Sequence, residues 1–247
     1  MIDTQTLLGL LIGVIAVVGG MWLEGGDPMA LAHRGAFLIV AGGTLAAILL
    51  QTPGQVSLRA LRMLVWLIRP PRRDARALVA RVVGWNRLVH RDGRLALERL
   101  ADAENDSLTR NGLLMLVDGC SESAVRSALE TQLSVREDEQ LRAARVFESA
   151  GGYAPTIGIL GAVLGLIQVM GNLDDPQGLG AGIAVAFVAT VYGLAAANLV
   201  LLPLANKLKY HVERDVKRQE LLIDGLTGIA ANKGSRELEY QLNGHIE

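Results

Sequence analysis

Residues 149–173, SAGGYAPTIGILGAVLGLIQVMGNL, and residues 176–206, PQGLGAGIAVAFVATVYGLAAANLVLLPLAN, decide how this chain folds: the two runs, of 25 and 31 residues, contain no Asp, Glu, Lys, Arg or His. Two similar runs lie near the start, 20 residues from Thr4 to Leu23 and 24 from Gly35 to Leu58. A hydrocarbon layer about 30 Å thick is crossed by roughly 20 helical residues rising about 1.5 Å each, so all four runs can span a bilayer. The sequence therefore predicts transmembrane helices near 5–23, 34–51, 152–173 and 181–204. The first lacks a basic leader and a small-x-small cleavage site before Glu24 and Asp27, and reads as a retained span rather than a signal peptide.

The rest of the composition agrees. With 247 residues, 51% of them hydrophobic, and a net charge of −1, the chain is neither disordered, collagen-like, nor a strongly basic nucleic-acid binder. Its mean hydropathy is +0.32. The charge is segregated. Sixteen Arg fall between Arg59 and Glu148, and seven more Lys and Arg follow from Lys207. The links 24–34 and 171–180 hold one basic residue, Arg34, against Glu24, Asp27, Asp174 and Asp175. Positive charge stays on the cytoplasmic side, so both termini and the long middle segment are expected in the cytoplasm.

That middle segment reads as helical. Leu61, Leu64, Leu67 and Ile68 recur at helical spacing until Arg69-Pro70-Pro71 stops them, and Ala75 to His90, Arg94 to Leu100 and Leu108 to Val117 read as short amphipathic helices. A longer helix, capped by Ser121 or Ser123, runs through Val125, Leu129, Leu133, Leu141 and Val146 toward Glu148 and into the third span. Beyond Pro203, Leu204 to Ile223 keeps the helical period, so the last two spans are expected to continue as stalks. The expected fold is an all-α integral membrane protein: a first transmembrane hairpin (1–58), a large helical cytoplasmic loop (59–148), a second hairpin (149–206), and a cytoplasmic C-terminal helix and tail (207–247).

Enzyme chemistry finds no foothold. There is no GxxxxGK[ST], HExxH or GxSxG motif, and His33, His90, His211 and His245 are scattered rather than set at ligand spacing. Cys120 stands alone, so no intramolecular disulfide or CxxC site can form. No catalytic residue, metal site or cofactor is expected. Small residues recur four apart instead: Gly9 with Gly13, Gly42 with Ala46, Gly161 with Gly165, and Ala189 with Gly193 and Ala197. Such stripes let helices approach closely. In the last two spans they are joined by Thr156, Thr190 and Asn198, whose polar groups are costly to leave facing lipid. With no ionisable group of its own, the set of spans makes a poor ion path. Either a partner supplies the carboxylate or the protein conducts nothing.

The run from Gly152 through Pro155, Gly158, Gly161, Ala162 and Gly165, followed by Gly182 to Asn198 and Leu202-Pro203-Leu-Ala-Asn-Lys207, resembles the paired channel helices of the MotA/PomA flagellar stator subunits. The wider MotA/TolQ/ExbB proton channel superfamily shares this helix pair. His90-Arg91-Asp92-Gly93-Arg94-Leu95-Ala96-Leu97-Glu98 resembles the charged torque motif of the stator subunits, and four spans with a long loop between the second and third match their topology. ExbB and TolQ usually have three. The resemblance, which extends to MotC-like members, covers nearly the whole chain.

The resemblance implies a proton-conducting stator subunit in the bacterial inner membrane, multi-pass, forming a ring of five around a dimer of a MotB-type partner. The partner's aspartate carries the ion. Pro155 and Pro203 match prolines that shape the channel and couple ion binding to movement, although spacing alone reads them as helix-end punctuation. Thr190 matches a hydroxyl facing the ion, and Tyr192 falls in the same channel motif. Ala162 stands where sodium-driven members carry threonine; since sodium needs several oxygen ligands, its alanine points to protons. Arg91 and Glu98 match residues that face a FliG-type rotor protein, with Arg94 adding charge nearby. His90 departs from a position often held by a permanent cation, and its charge near neutral pH depends on its surroundings. Without the resemblance these four would be ordinary solvated charges. The tail Asn232-Lys233-Gly234-Ser235 lacks the proline common in the family. Other readings are an ExbB/TolQ-type energiser of outer-membrane processes and a non-conducting scaffold.

Overall fold

The computed structural model describes residues 4–68, 74–171 and 176–244. The Arg69-Pro70-Pro71 stop, Asp174, Asp175 and His245 lie outside them. Among the described residues every regular element is helical: α1 (Thr4–Leu23), α2 (Arg34–Gln51), α3 (Gly54–Met63), α4 (Val65–Ile68), α5 (Ala75–Asp92), α6 (Glu98–Asp102), α7 (Ser107–Val117), α8 (Glu122–Gly171), α9 (Pro176–Ala195), α10 (Leu202–Ala230) and α11 (Ser235–Asn243). Short 3₁₀ turns cover Pro28–Leu31 and Arg94–Leu97.

Helix starts follow local chemistry. The first amides of a helix lack internal acceptors, and side chains supply them. His33 Nδ1 accepts from Ala36 N at 3.2 Å to open α2, and Asp74 Oδ1 accepts from Ala77 N at 2.9 Å to open α5. Asp106 Oδ2 accepts from Thr109 N at 3.1 Å to open α7. Of the two serines expected to cap α8, Ser121 does so, accepting from Ala124 N at 3.3 Å. The segment expected as one helix from Arg94 to Leu100 is instead a 3₁₀ turn followed by α6. Leu97 is completely buried, and that anchor divides the segment.

The chain forms two compact units, residues 1–69 with 140–209 and residues 70–139 with 210–247. The first is the apolar unit. Among the described residues three helical stretches are long and apolar enough to cross a membrane, Pro28–Gln51, Glu122–Gly171 and Gly182–Ala230, and Leu8–Leu23 is a shorter apolar helix. The second, charged unit is built on an aliphatic core in which Leu97, Leu108, Leu113, Leu226, Leu238 and Leu242 are fully buried.

Neither Pro155 nor Pro203 ends its helix. Pro155 sits inside the 50-residue α8, and Pro203 is the second residue of α10. A proline removes one backbone donor, leaving the carbonyl four residues earlier without its usual partner. At Pro203 the preceding residues Ala196–Leu201 wind as a π-helix, the wider turn that commonly absorbs such a defect.

Candidate functional site

The contact between α8 and α9 is made by backbone against backbone. A methyl group built on Gly158 would lie 2.9 Å from Ala189 O and 3.4 Å from Thr190 Cα, one on Gly165 would lie 2.9 Å from Ala186 N, and one on Gly193 would lie 2.5 Å from Ala154 O. Hydrogen is all that fits. The predicted stripe of Gly161, Gly165, Ala189 and Gly193 is thus a true contact seam, with Gly161 facing Ala189 Cβ. The stripes of the first two spans divide differently. Gly13 faces Leu199, while Gly9 and Gly42 have open space around them; Gly43, next to Gly42 but outside the predicted row, faces Ile157. Spacing finds a small-residue row but not which side of it has a neighbour.

Pro155, Gly158, Thr190 and Gly193 gather along this seam, with Pro155 Cα 3.1 Å from the position a Gly193 methyl would take. Thr190 is half-buried, and its hydroxyl donates to Ala186 O at 3.2 Å. That bond uses the hydrogen and leaves the oxygen lone pairs as acceptors for a proton-bearing group. Ala162, two turns beyond Pro155 on α8, is half-buried. Thr156 Oγ1 donates to Tyr153 O at 2.8 Å and Asn198 Nδ2 to Leu194 O at 3.0 Å, so both spend donors within their own helix. Tyr192 is not gathered with the seam. Its hydroxyl donates to Leu31 O and accepts from His33 N at 3.3 Å, and its ring meets Phe37 edge-on at 6.3 Å. It ties α9 to the entrance of α2. Pro203 lies below the seam, following Leu202, whose Cδ2 sits 2.7 Å from where a Gly151 methyl would be.

In the charged unit, α5 ends at Gly93, whose φ of +83° and amide bond to Val89 O at 2.9 Å turn the chain into the Arg94–Leu97 segment. Only glycine adopts that conformation without strain. The four motif residues singled out above, His90, Arg91, Arg94 and Glu98, then separate by their bonds. Arg91 and Glu98 are exposed, and Arg91 clasps Asp92 through Nη2 at 2.7 Å and Nε at 2.9 Å. The hydrogen bond from Arg91 holds the Asp92 carboxyl below its usual range and raises the guanidinium. His90 and Arg94 bond elsewhere: His90 Nε2 donates to Lys233 O at 3.1 Å, and Arg94 Nη2 donates to Ala230 O at 3.1 Å.

Sequence reasoning missed two groups here. Asn86 is 1% exposed, and its Nδ2 donates to Lys233 O at 3.0 Å. A polar residue set in the buried stripe of Val82, Val83 and Trp85 was its available signal. The second is an ion-pair cluster. Arg136 Nη1 meets Asp106 at 2.8 Å and its Nη2 meets Asp215 at 3.6 Å. Burial opposes the ionised Asp106, but the bonds from Arg136 and Thr109 outweigh it and lower the pKa. At Asp215 burial wins and the pKa is raised, against the pull of Arg136 and Arg218. These residues are far apart in sequence, and no local spacing announces them.

The geometry now has counterparts. The model of a family described as the MotA/TolQ/ExbB proton channel family matches residues 100–221. Motility protein A of Bacillus subtilis is 33% identical over 241 residues, spanning 97% of this chain and 89% of that protein. Motility protein A of Helicobacter pylori is 34% identical over 245 residues, spanning 99% and 95%. Among solved structures, that of C. jejuni MotAB superposes with a TM-score of 0.90 at 31% identity, covering 99% of this chain and 96% of that one.

Proposed function

The chain belongs to the MotA/TolQ/ExbB proton channel family, and from that premise we infer that it is a stator subunit of the bacterial flagellar motor, working in the membrane with a MotB partner. The observation that carries the reading is end-to-end agreement with a MotAB subunit, at a TM-score of 0.90 over 99% of the chain. Relatives named motility protein A favour rotation over envelope energising. This is a transport and force-generating family rather than a catalytic one.

The finer reading rests on the seam. Four spans cross the inner membrane, with both termini and the charged unit in the cytoplasm, as the arginine distribution supports. Five copies surround a dimer of the partner. The described parts of α8 and α9 within the uncharged runs bear no acid or base, so the partner's carboxylate takes and releases the ion against Pro155, Ala162 and Thr190. The free lone pairs of Thr190 can accept the hydrogen of a protonated carboxyl, whereas Ala162 offers sodium no oxygen. The ion is therefore the proton. One unit charge crossing 100 mV releases about 2.3 kcal/mol. That energy turns the ring, and Arg91 and Glu98 pass the torque to a FliG-type rotor protein.

The test is complementation of a strain lacking this subunit. Wild type should restore swimming that stops with a proton uncoupler and persists when sodium is removed. Arg91→Glu combined with Glu98→Lys should abolish swimming while the complex still purifies with its MotB-type partner. Full-speed swimming by that variant would remove the torque assignment, and sodium-dependent swimming would remove the proton.

A further inference from the structure

We propose that the turn after α10 is a clamp that fixes the end of α5, and that His90, Arg94 and the buried Asn86 are positioning residues acting through it rather than rotor contacts. This rests on the stator reading, because it assigns α5 the task of presenting Arg91 and Glu98.

The clamp begins with the way α10 stops. Lys233 N bonds Gly228 O at 3.0 Å, Asn232 N bonds Ile229 O at 3.0 Å, and Asn232 takes φ +58°. This is a Schellman closure with asparagine in the left-handed position, and it satisfies two of the terminal carbonyls. The carbonyls of Ala230 and Lys233 then receive side-chain donors. Asn86 and His90, one turn apart on α5, both donate to Lys233 O, at 3.0 and 3.1 Å. Arg94, just past Gly93, donates to Ala230 O at 3.1 Å. Three donors at spacings of four residues meet one turn.

The turn is held from its other side as well. Leu238 and Leu242 of α11 are fully buried in the core, and Leu238 Cδ1 lies 2.4 Å from where a Gly228 methyl would be. Asn86 Nδ2 also reaches Ser235 Oγ at 3.4 Å, and Lys233 Nζ donates to Gln241 Oε1 at 2.8 Å. The tail therefore cannot slide along α5 without breaking bonds on both faces.

The remaining motif residues are left outward. The Arg91 side chain is 75% exposed and Leu95 is 72% exposed. A force applied at Arg91 acts on the last turn of α5, the part of a helix that frays most readily. Bonds from His90, Asn86 and Arg94 to a turn anchored in the core resist that fraying. The motif thus has a set bonded to the turn, in which His90 is itself exposed and is distinguished by its bond to Lys233 O, and a set without such bonds that meets the rotor. A neutral donor at position 90 serves the bonded role as well as a cation does, which explains how a histidine can stand there.

Torque per stator unit, read from stepwise speed increments of a tethered bead as units join the motor, tests the division. His90→Gln, a neutral donor, should keep the wild-type step. His90→Ala and Asn86→Ala should each reduce it twofold or more while the subunit still purifies with its MotB-type partner. Hydrogen exchange at residues 88–92 of the purified complex should be several-fold faster in His90→Ala than in wild type or His90→Gln. A step in His90→Gln as small as in His90→Ala, or unchanged exchange in His90→Ala, would overturn the clamp. Steps that are normal in Arg91→Glu/Glu98→Lys would instead defeat the stator reading of the motif.

Discussion

The α8–α9 seam and the junction between α5 and α10 both bring helices into close contact, by opposite means. In the apolar unit the neighbours of Gly158, Gly165 and Gly193 are backbone atoms, which cannot move aside. In the charged unit Gly225 faces Val82 and Gly228 faces the tip of Leu238, buried side chains rather than backbone, and the joint is completed by donors aimed at carbonyls. Without ionisable groups or large side chains, an intramembrane contact gains specificity from shape alone. Outside it, apolar burial provides cohesion and hydrogen bonds provide direction.

The strongest way to break this comparison is Gly193→Ala. Its methyl would sit 2.5 Å from Ala154 O, so the helices must separate. A loss of about 3 kcal/mol, the upper end for overpacking, and complete loss of swimming are expected, read by thermal melting of the purified complex and by motility plates. The double reversal of Arg91 and Glu98 should abolish swimming equally but leave the melting temperature unchanged, because both side chains are exposed. That contrast separates a failure of the wall from a failure of contact.

Asp106→Asn probes the charged unit. Removing the carboxylate that caps α7 and pairs with Arg136 should cost about 1.5 to 3 kcal/mol at neutral pH. The native pKa is lowered, so the stabilisation is present above the unfolded value of about 3.9 and is lost as pH falls through the folded one. The gap between variant and wild type should therefore close below about pH 4. Asp215, raised by burial, acts in the reverse sense in both proteins. Gly228→Ala should cost no more than about 1 kcal/mol, since a leucine tip can rotate and alanine favours the helix by about that amount. Smallest in cost of all, Gly42→Ala meets open space inside α2 and should not lower the melting point, with alanine's helix preference adding up to about 1 kcal/mol.

Much of the architecture was legible because it is written in local periods. The expected helices Ala75 to His90 and Leu108 to Val117 are found as Ala75–Asp92 and Ser107–Val117. In the structure Asp74 and Asp106 cap their starts and Gly93 closes the end of the first. The site was legible in part. The motif from His90 to Glu98 could be picked out as charged, but a run of charges does not say which members face a carbonyl and which face water.

What the sequence determined by itself, then, is the helical character and polarity of the long segments and the absence of acid or base from the uncharged runs, since these depend only on composition and spacing along the chain. The tertiary structure alone decided that Gly13 and Gly43 pack while Gly9 and Gly42 do not, that Tyr192 turns toward Leu31, and that His90 and Arg94 are tied to residues more than a hundred positions away. The reason is physical: periodicity fixes the face on which a side chain stands, whereas its partner depends on what the rest of the fold brings against that face.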